Sequence, residues 1–191
     1  MATPSELSRL LLSPKEAAEL DAPGETDAAV LVPLYLKEGA LVAVFTERRP
    51  DLRRHAGEIS FPGGTQDEGE DLRQTALREA WEEIGLPAED VELVGALPPT
   101  GTFVTGYRIH PFVGLIERRR QWEPHEAEVE RVLEFALTDL RAGFERRRLI
   151  RKGVPVKIPT YTVRGHLVWG ATGRIVESLL ERLDPILRTE D

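Results

Sequence analysis

Apolar runs alternate with polar segments along this chain, and their spacing predicts a mixture of short strands and helices. Two runs, residues 28–36 and 41–46, are joined by residues 37–40, which include a glycine. A short glycine-containing segment between two such runs predicts a β-hairpin. Residues 172–183 repeat apolar side chains at helical spacing, and the predicted buried face consists of Ile175, Val176, Leu179, Leu180 and Leu183.

The same patterns predict the remaining strands, which cover residues 91–96, 108–117, 131–137, 145–151 and 156–163. Pro111 is expected to place a break, a bulge or a sheet edge in its strand because proline lacks an N–H. The loop over residues 97–107 is rich in Pro, Thr and Gly, and loops of this kind often border functional sites. Strands mixed with about three helices indicate an α/β or α+β layered domain with a mixed sheet.

Three shorter features complete the predicted framework. Residues 5–20 predict a helix, or a helix pair broken near Pro14, with Ser13 as the N-cap of the second piece. Thr138 is expected to cap a short helix that follows it. Trp169 and Ile175 are expected to be core residues.

A helix over residues 72–84 is predicted with both of its ends defined. Asp71 and Gln74 have the spacing of a capping box, Gly85 suits the position after the last turn, and Pro87 blocks continuation. The expected core-facing side chains are Leu77, Ala80, Trp81 and Ile84.

Three carboxylates occupy the other side of this helix. Glu79, Glu82 and Glu83 lie within an arc of about 100°. Their mutual repulsion is about a few tenths of a kcal/mol per pair on an exposed helix, and a divalent cation would offset it. Oxygen ligands without sulfur or imidazole favour Mg²⁺ or Mn²⁺. An acidic, solvated helix face is the alternative interpretation.

A basic segment precedes the carboxylates. Residues 47–55 contain four arginines and one histidine, and Pro50 predicts a loop. Arg48, Arg53 and His55 are candidate phosphate ligands, because guanidinium groups match phosphate oxygens and histidine can donate a hydrogen bond. The pair Gly63–Gly64 permits close approach of the backbone to a metal or a phosphate.

Composition sets broad limits on function. The 191 residues fit one domain, with 41% hydrophobic and 30% charged residues. The absence of cysteine excludes disulfides and thiolate metal sites, and a cytoplasmic location is expected. The net charge of −8 argues against a nucleic-acid partner, while a nucleotide remains an acceptable substrate because a bound metal can invert the local charge. No signal peptide or membrane partner is expected, and a homodimer is left open.

The segment from Gly64 to Leu86 resembles the signature of the Nudix hydrolases, G-x5-E-x7-R-E-U-x-E-E-x-G-U. The matching positions are Gly64, Glu70, Arg78, Glu79, Glu82, Glu83 and Gly85, with Ala80 and Leu86 at the apolar sites. The resemblance implies an α/β/α sandwich and metal-dependent hydrolysis of a nucleoside-linked pyrophosphate.

The same resemblance assigns roles to particular residues. It implies Mg²⁺ or Mn²⁺ on Glu79, Glu82 and Glu83, with a backbone carbonyl near Gly64 completing the coordination. Arg78 is interpreted as the structural partner of Glu70, and Gly85 as a structural glycine of the motif. The general base is left open among three carboxylates: Glu82, Glu126 and Glu128.

A narrower resemblance concerns the substrate. Thr46, Arg48, Arg53, Gly57, Phe61, Pro62, Gly63 and Gly64 match the coenzyme A pyrophosphatase pattern L-L-T-x-R-[SA]-x3-R-x3-G-x3-F-P-G-G. This similarity implies cleavage of coenzyme A or an acyl-CoA. Arg49 stands where that subfamily has a small residue and is expected to alter substrate fit. ADP-ribose, NADH, a dinucleoside polyphosphate or a non-catalytic nucleotide sensor are the alternatives. The predicted organisation is a helical arm over residues 1–25 and one Nudix domain over residues 26–191.

Overall fold

The computed structural model describes residues 3–51, 57–102, 105–119, 121–151 and 154–188. The helices are α1 (Pro4–Leu10), α2 (Pro14–Ala18), α3 (Leu72–Ile84), α4 (Leu137–Ala142) and α5 (Gly170–Leu187), with a 3-10 turn at Ala88–Asp90. The strands are β1 (Thr26–Lys37), β2 (Ala40–Arg48), β3 (Ile59–Ser60), β4 (Gly63–Thr65), β5 (Val91–Ala96), β6 (Thr100–Gly101), β7 (Tyr107–Ile116), β8 (Val129–Ala136), β9 (Phe144–Arg151), β10 (Val154–Val163) and β11 (His166–Val168).

A mixed sheet is built around β1. One edge of β1 pairs in parallel with β7, from Thr26↔Tyr107 to Leu34↔Leu115. Its other edge is shared, because the second half pairs with β2 and the first half pairs with β4. A smaller antiparallel sheet has the order β11-β10-β9.

The segment from β3 to β4 fills the space where β1 and β2 diverge. β3 pairs with β2 at Thr46↔Ser60, and β4 pairs with β1 at Ala29↔Gly64. The Leu31 N–H donates to the carbonyl of Pro62 at 2.9 Å, which fastens the turn between them. At Gly63 an added Cβ would lie 2.7 Å from the Val30 Cα, so only glycine lets β4 approach so closely.

Alternating side chains of β1 divide the core into two layers. Val30, Val32 and Leu34 pack with α1, α4 and α5, whereas Ala29, Leu31 and Tyr35 pack with α3. Helices therefore cover both faces of the mixed sheet, which confirms the α/β (α+β) sandwich.

The N-terminal arm joins the first of these layers. Leu7 and Leu11 are buried in it, and the backbones of Leu12 and Ala96 exchange two hydrogen bonds at the edge of β5. Ser13 caps α2 as predicted, with Pro14 at its first turn. Residues on both sides of the boundary predicted at residue 25 thus contribute to one hydrophobic core.

The structure corrects four local predictions. Arg48 belongs to β2, so the predicted loop begins later. β7 runs unbroken through Pro111. The interruption lies in the chain paired with this edge of β7, between β5 and β6, where the Leu97 N–H donates to the Pro111 carbonyl. Thr138 lies inside α4, whose N-cap is Ala136, without a side-chain cap bond.

The fourth correction concerns the face of α3. Trp81 was predicted to be buried but is 54% exposed. Ala76, Ala80 and Ile84 repeat every four residues and form the buried stripe, and their alanines allow close packing on the sheet. Trp81 follows Ala80 by one position, which places it 100° further round the helix and turns it toward solvent.

Candidate active site

Helix α3 presents its carboxylates from a firmly defined scaffold. Asp71 accepts a hydrogen bond from the Gln74 N–H, and the Gln74 side chain accepts one from the Asp71 N–H. Gly85 ends the helix with a φ of 66°, a conformation that favours glycine. The capped start and the glycine end define the length of the helix, and the packing of Ala76, Ala80 and Ile84 on the sheet sets the direction in which its carboxylates face.

Glu83 is the most buried of the three carboxylates, with 6% exposure. Its Oε2 atom is buried without a hydrogen-bond partner in the described part of the chain. Burial, reinforced by the negative charge of Glu79, raises the pKa of Glu83 to about 8, while Arg48 and the Gly63 backbone act in the opposite direction. A buried carboxylate with a free oxygen is the feature that a cation would stabilise.

Glu79 lies against the glycine strand. An added Cβ at Gly64 would lie 2.5 Å from the Glu79 Cδ and 2.8 Å from its Oε2, so the carboxylate occupies the space left by the missing side chain. Burial raises the pKa of Glu79 despite its hydrogen bond with Arg78. The backbone of β4 and the side chain of α3 are therefore in direct contact.

Arg78 connects the helix to the preceding loop. Its Nε donates to Glu70 Oε1 at 2.8 Å, and its Nη2 donates to the Thr65 carbonyl at 3.1 Å. Its Nη1 donates to Glu79 at 2.9 Å and to Glu82 at 3.1 Å. The arginine lowers the pKa of Glu70, so this pair is held in its charged form.

Glu79, Glu82 and Glu83 border a cavity of about 740 Å³. Arg48 and Glu128 also line it, with 3.9 Å between Arg48 Nη2 and Glu128 Oε2. The loop that carries Glu128 is attached to α3 through the His125 N–H, which donates to the Glu83 carbonyl at 2.9 Å. Residues from β1, β2, β4, α3, β7 and α5 thus meet at one site.

The structure brings together most of the predicted site residues. The cavity is lined by Arg48, Gly63, Gly64, Glu79, Glu82, Glu83 and Glu128. Arg53 and His55 lie outside the described residues. Among the residues that are described, no three His, Cys, Asp or Glu side chains are already gathered at metal-site spacing, so the metal site stays a prediction.

Other lining residues were missed or assigned differently. Trp169 was predicted to lie in the core, but it is half-buried and lines the cavity beside Ile175. It is the N-cap residue of α5. Arg174 also lines the cavity and donates to the Gly101 carbonyl. The composition of the loop over residues 97–107 had indicated a place beside a functional site, and Thr102 and Thr105 of this loop line the cavity.

Comparison with known proteins places this geometry in a family. The NUDIX domain model matches residues 25–153. The chain is 37% identical over 163 residues to the uncharacterized Nudix hydrolase NudL of Citrobacter koseri, covering 82% of this chain and 84% of that protein. It is 35% identical over 158 residues to the uncharacterized Nudix hydrolase NudL of Pectobacterium atrosepticum, covering 81% of each chain.

Fold similarity extends along almost the whole chain. The NUDIX domain of Shewanella oneidensis NrtR, crystallised with ADP ribose, superposes with a TM-score of 0.57 at 18% identity, covering 96% of this chain and 99% of that one. No helix in the described ranges is both long and apolar enough to cross a membrane. The family model and the NudL relatives together show that this chain belongs to the NUDIX domain family and is a Nudix pyrophosphohydrolase acting on nucleotide pyrophosphates.

Proposed function

We propose that this Nudix hydrolase cleaves the pyrophosphate bond of coenzyme A or an acyl-CoA, giving adenosine 3′,5′-bisphosphate and 4′-phosphopantetheine. The observation that carries this proposal is the meeting of two sequence patterns in one cavity. Arg48, Phe61 and Gly63 of the coenzyme A pyrophosphatase-like pattern line the same space as the carboxylates of α3. The residues proposed to select the substrate therefore lie in the same cavity as the carboxylates proposed to bind the metal.

The residues present suit Mg²⁺ or Mn²⁺. Glu79, Glu82 and Glu83 provide only oxygen donors, and the unpartnered Glu83 Oε2 faces no competing donor within the described structure. A backbone carbonyl near Gly64 is the proposed further ligand. When bound, the ion supplies polarisation of the phosphoryl oxygens and acidification of a water.

Arg48 places a positive charge in the cavity lining, close to Glu83. Its Nε atom is buried without a hydrogen-bond partner among the described residues, and its charge lowers the pKa of Glu83. A phosphate oxygen would satisfy such a donor through a charge-assisted hydrogen bond. Arg53 and His55 are proposed to add to this phosphate site. Gly63 was proposed as a substrate ligand as well, and its backbone hydrogen bond to Glu83 supports a role in orienting that carboxylate.

Glu128 is the proposed general base. It is half-exposed and lines the cavity, which suits a group that must accept a proton from water. Glu82 also lines the cavity but already accepts a hydrogen bond from Arg78. The third candidate, Glu126, is absent from the described lining of the cavity. Glu128 is therefore the carboxylate best placed to act on a water beside the metal ligands.

A competition experiment tests the substrate. Equimolar coenzyme A, ADP-ribose and NADH are incubated with the enzyme and Mg²⁺ or Mn²⁺, and the products are identified by mass spectrometry. We expect kcat/KM for coenzyme A to exceed that for ADP-ribose by at least about tenfold, equivalent to about 1.4 kcal/mol. Glu83→Gln is the matched inactive control, with an expected loss of about 10²–10³ in kcat.

The outcome shows whether the proposed substrate or the proposed metal site is wrong. Consumption of ADP-ribose or NADH before coenzyme A would overturn the proposed substrate and leave the family assignment intact. Equal turnover by wild type and Glu83→Gln would overturn the proposed metal site. Release of adenosine 3′,5′-bisphosphate that requires added metal would support both.

A further inference from the structure

Arg49 connects the end of β2 to the loop that carries Glu128. Its Nε and Nη2 atoms donate to the two carboxylate oxygens of Asp51, both at 2.8 Å. A bidentate pair of this kind fixes the plane of the guanidinium group. The remaining Nη1 atom donates to the backbone carbonyl of Glu126 at 2.8 Å. One side chain thus joins two segments that are far apart in sequence.

The backbone strengthens the same connection. The pairing of β2 with β8 is irregular between Glu47 and Arg48, and the ladder ends where Arg48 faces Val129. Beyond this point the Arg49 N–H donates to the Glu128 carbonyl at 3.0 Å. Arg49 therefore binds this loop at two points: its backbone N–H bonds to the carbonyl of Glu128, and its side chain bonds to the carbonyl of Glu126.

The Arg49 side chain bonds to Asp51 and to the Glu126 carbonyl and to no described residue of the cavity lining. It is absent from the described lining, whereas Glu128 is part of the lining and lies 3.9 Å from Arg48. The expectation that Arg49 alters substrate fit stays a prediction, and its contacts in the structure are with Asp51 and the loop that carries Glu128. Its ion pair with Asp51 is exposed, and exposed pairs contribute little to stability.

We infer that Arg49 is a positioning residue that holds the loop over residues 123–128 so that Glu128 faces the reacting water. This inference rests on the proposed function, in which Glu128 is the base. Asp51 orients the guanidinium, and the guanidinium fixes the Glu126 carbonyl. Loss of the arginine leaves the metal ligands on α3 and the phosphate ligand on β2 in place.

Kinetic coupling tests the inference. Arg49→Ala is expected to lower kcat for coenzyme A about tenfold, because small displacements of a catalytic group are costly, with KM and the Kd for Mn²⁺ changed less than about twofold. In a Glu128→Gln background, the same substitution should change kcat by less than about twofold. Arg49→Lys should restore part of the lost kcat. The matched control is Arg73→Ala, which removes another exposed arginine that pairs with an aspartate two residues away.

Amide hydrogen exchange provides a readout independent of turnover. We expect Arg49→Ala to raise exchange at least about threefold in peptides covering residues 123–129, while Arg73→Ala leaves those peptides unchanged. Unchanged exchange, or an Arg49→Ala loss in kcat that is equally large with Glu128→Gln, would overturn the positioning role. If wild type cleaves none of the nucleotides, the proposed function fails, and the exchange result alone decides whether Arg49 holds the loop.

Discussion

The carboxylate of Glu79 lies in the space that a side chain at Gly64 would occupy. This contact joins the glycine strand to the acidic helix and explains why two separate parts of the motif depend on each other. A Cβ at this position would meet the end of a flexible side chain, so the carboxylate would move while the backbone kept its place.

Gly64→Ala should therefore impair activity more than stability. We expect kcat to fall about 10²-fold, because the carboxylate leaves its position beside the other acidic groups. The free energy of unfolding in EDTA should change by less than about 1 kcal/mol. Steady-state kinetics and urea unfolding check these values. A large loss of stability with normal kcat per folded molecule would contradict the prediction.

Burial of Glu83 predicts a pH dependence of stability in the metal-free protein. Its pKa is about 8 in the folded state, against an ordinary value of 4.5. Between these values the folded state binds more protons than the unfolded state, so stability falls as pH rises through this window. In EDTA, Glu83→Gln should gain about 2–4 kcal/mol relative to wild type between pH 4.5 and pH 8.

Urea unfolding at several pH values measures this difference. The exposed carboxylate of Glu89 provides the control, since Glu89→Gln should show the pH dependence of wild type. Mn²⁺ should stabilise wild type more than Glu83→Gln at pH 8, because ligands of the folded state raise stability. Parallel stability curves for wild type and Glu83→Gln would refute the buried-carboxylate interpretation.

Arg48→Ala should weaken binding according to the charge of the substrate. Each charge-assisted contact contributes roughly 1.5–3 kcal/mol, so KM should rise more for compounds with more phosphates. Mn²⁺ affinity should change less than substrate affinity, because the arginine is not itself a metal ligand. The control is Arg188→Ala, which removes a distant exposed arginine paired with Asp184. Equal losses across mono-, di- and triphosphate compounds would indicate a structural role for Arg48.

Leu7→Ala should show that the N-terminal arm stabilises the domain. Leu7 is fully buried beside β5 and α5, and removing such a side chain typically costs about 2–5 kcal/mol. The exposed neighbour Ser8 supplies the control, since Ser8→Ala should change stability by less than about 0.5 kcal/mol. Thermal or urea unfolding measures both. A loss below about 1 kcal/mol for Leu7→Ala would show that the arm is energetically separate.

The sequence alone determined the features that depend on local chemistry. The capping box at Asp71, the left-handed glycine at position 85 and the hairpin between β1 and β2 follow from residues close together along the chain. Helical periodicity also placed Glu79, Glu82 and Glu83 on one side of α3. These predictions succeeded because side-chain capping, backbone conformation and residue spacing act over a few residues.

Only the tertiary structure decided which of these groups meet and which are buried. The spacing of the three glutamates did not reveal that Glu83 is buried while Trp81 is exposed, because small alanines set the packing of α3 on the sheet. The sequence likewise did not reveal that the Arg49 side chain binds the carbonyl of Glu126, 77 positions along the chain. Contacts between distant segments depend on strand register and on the divergence of β1 and β2, and no local pattern encodes them.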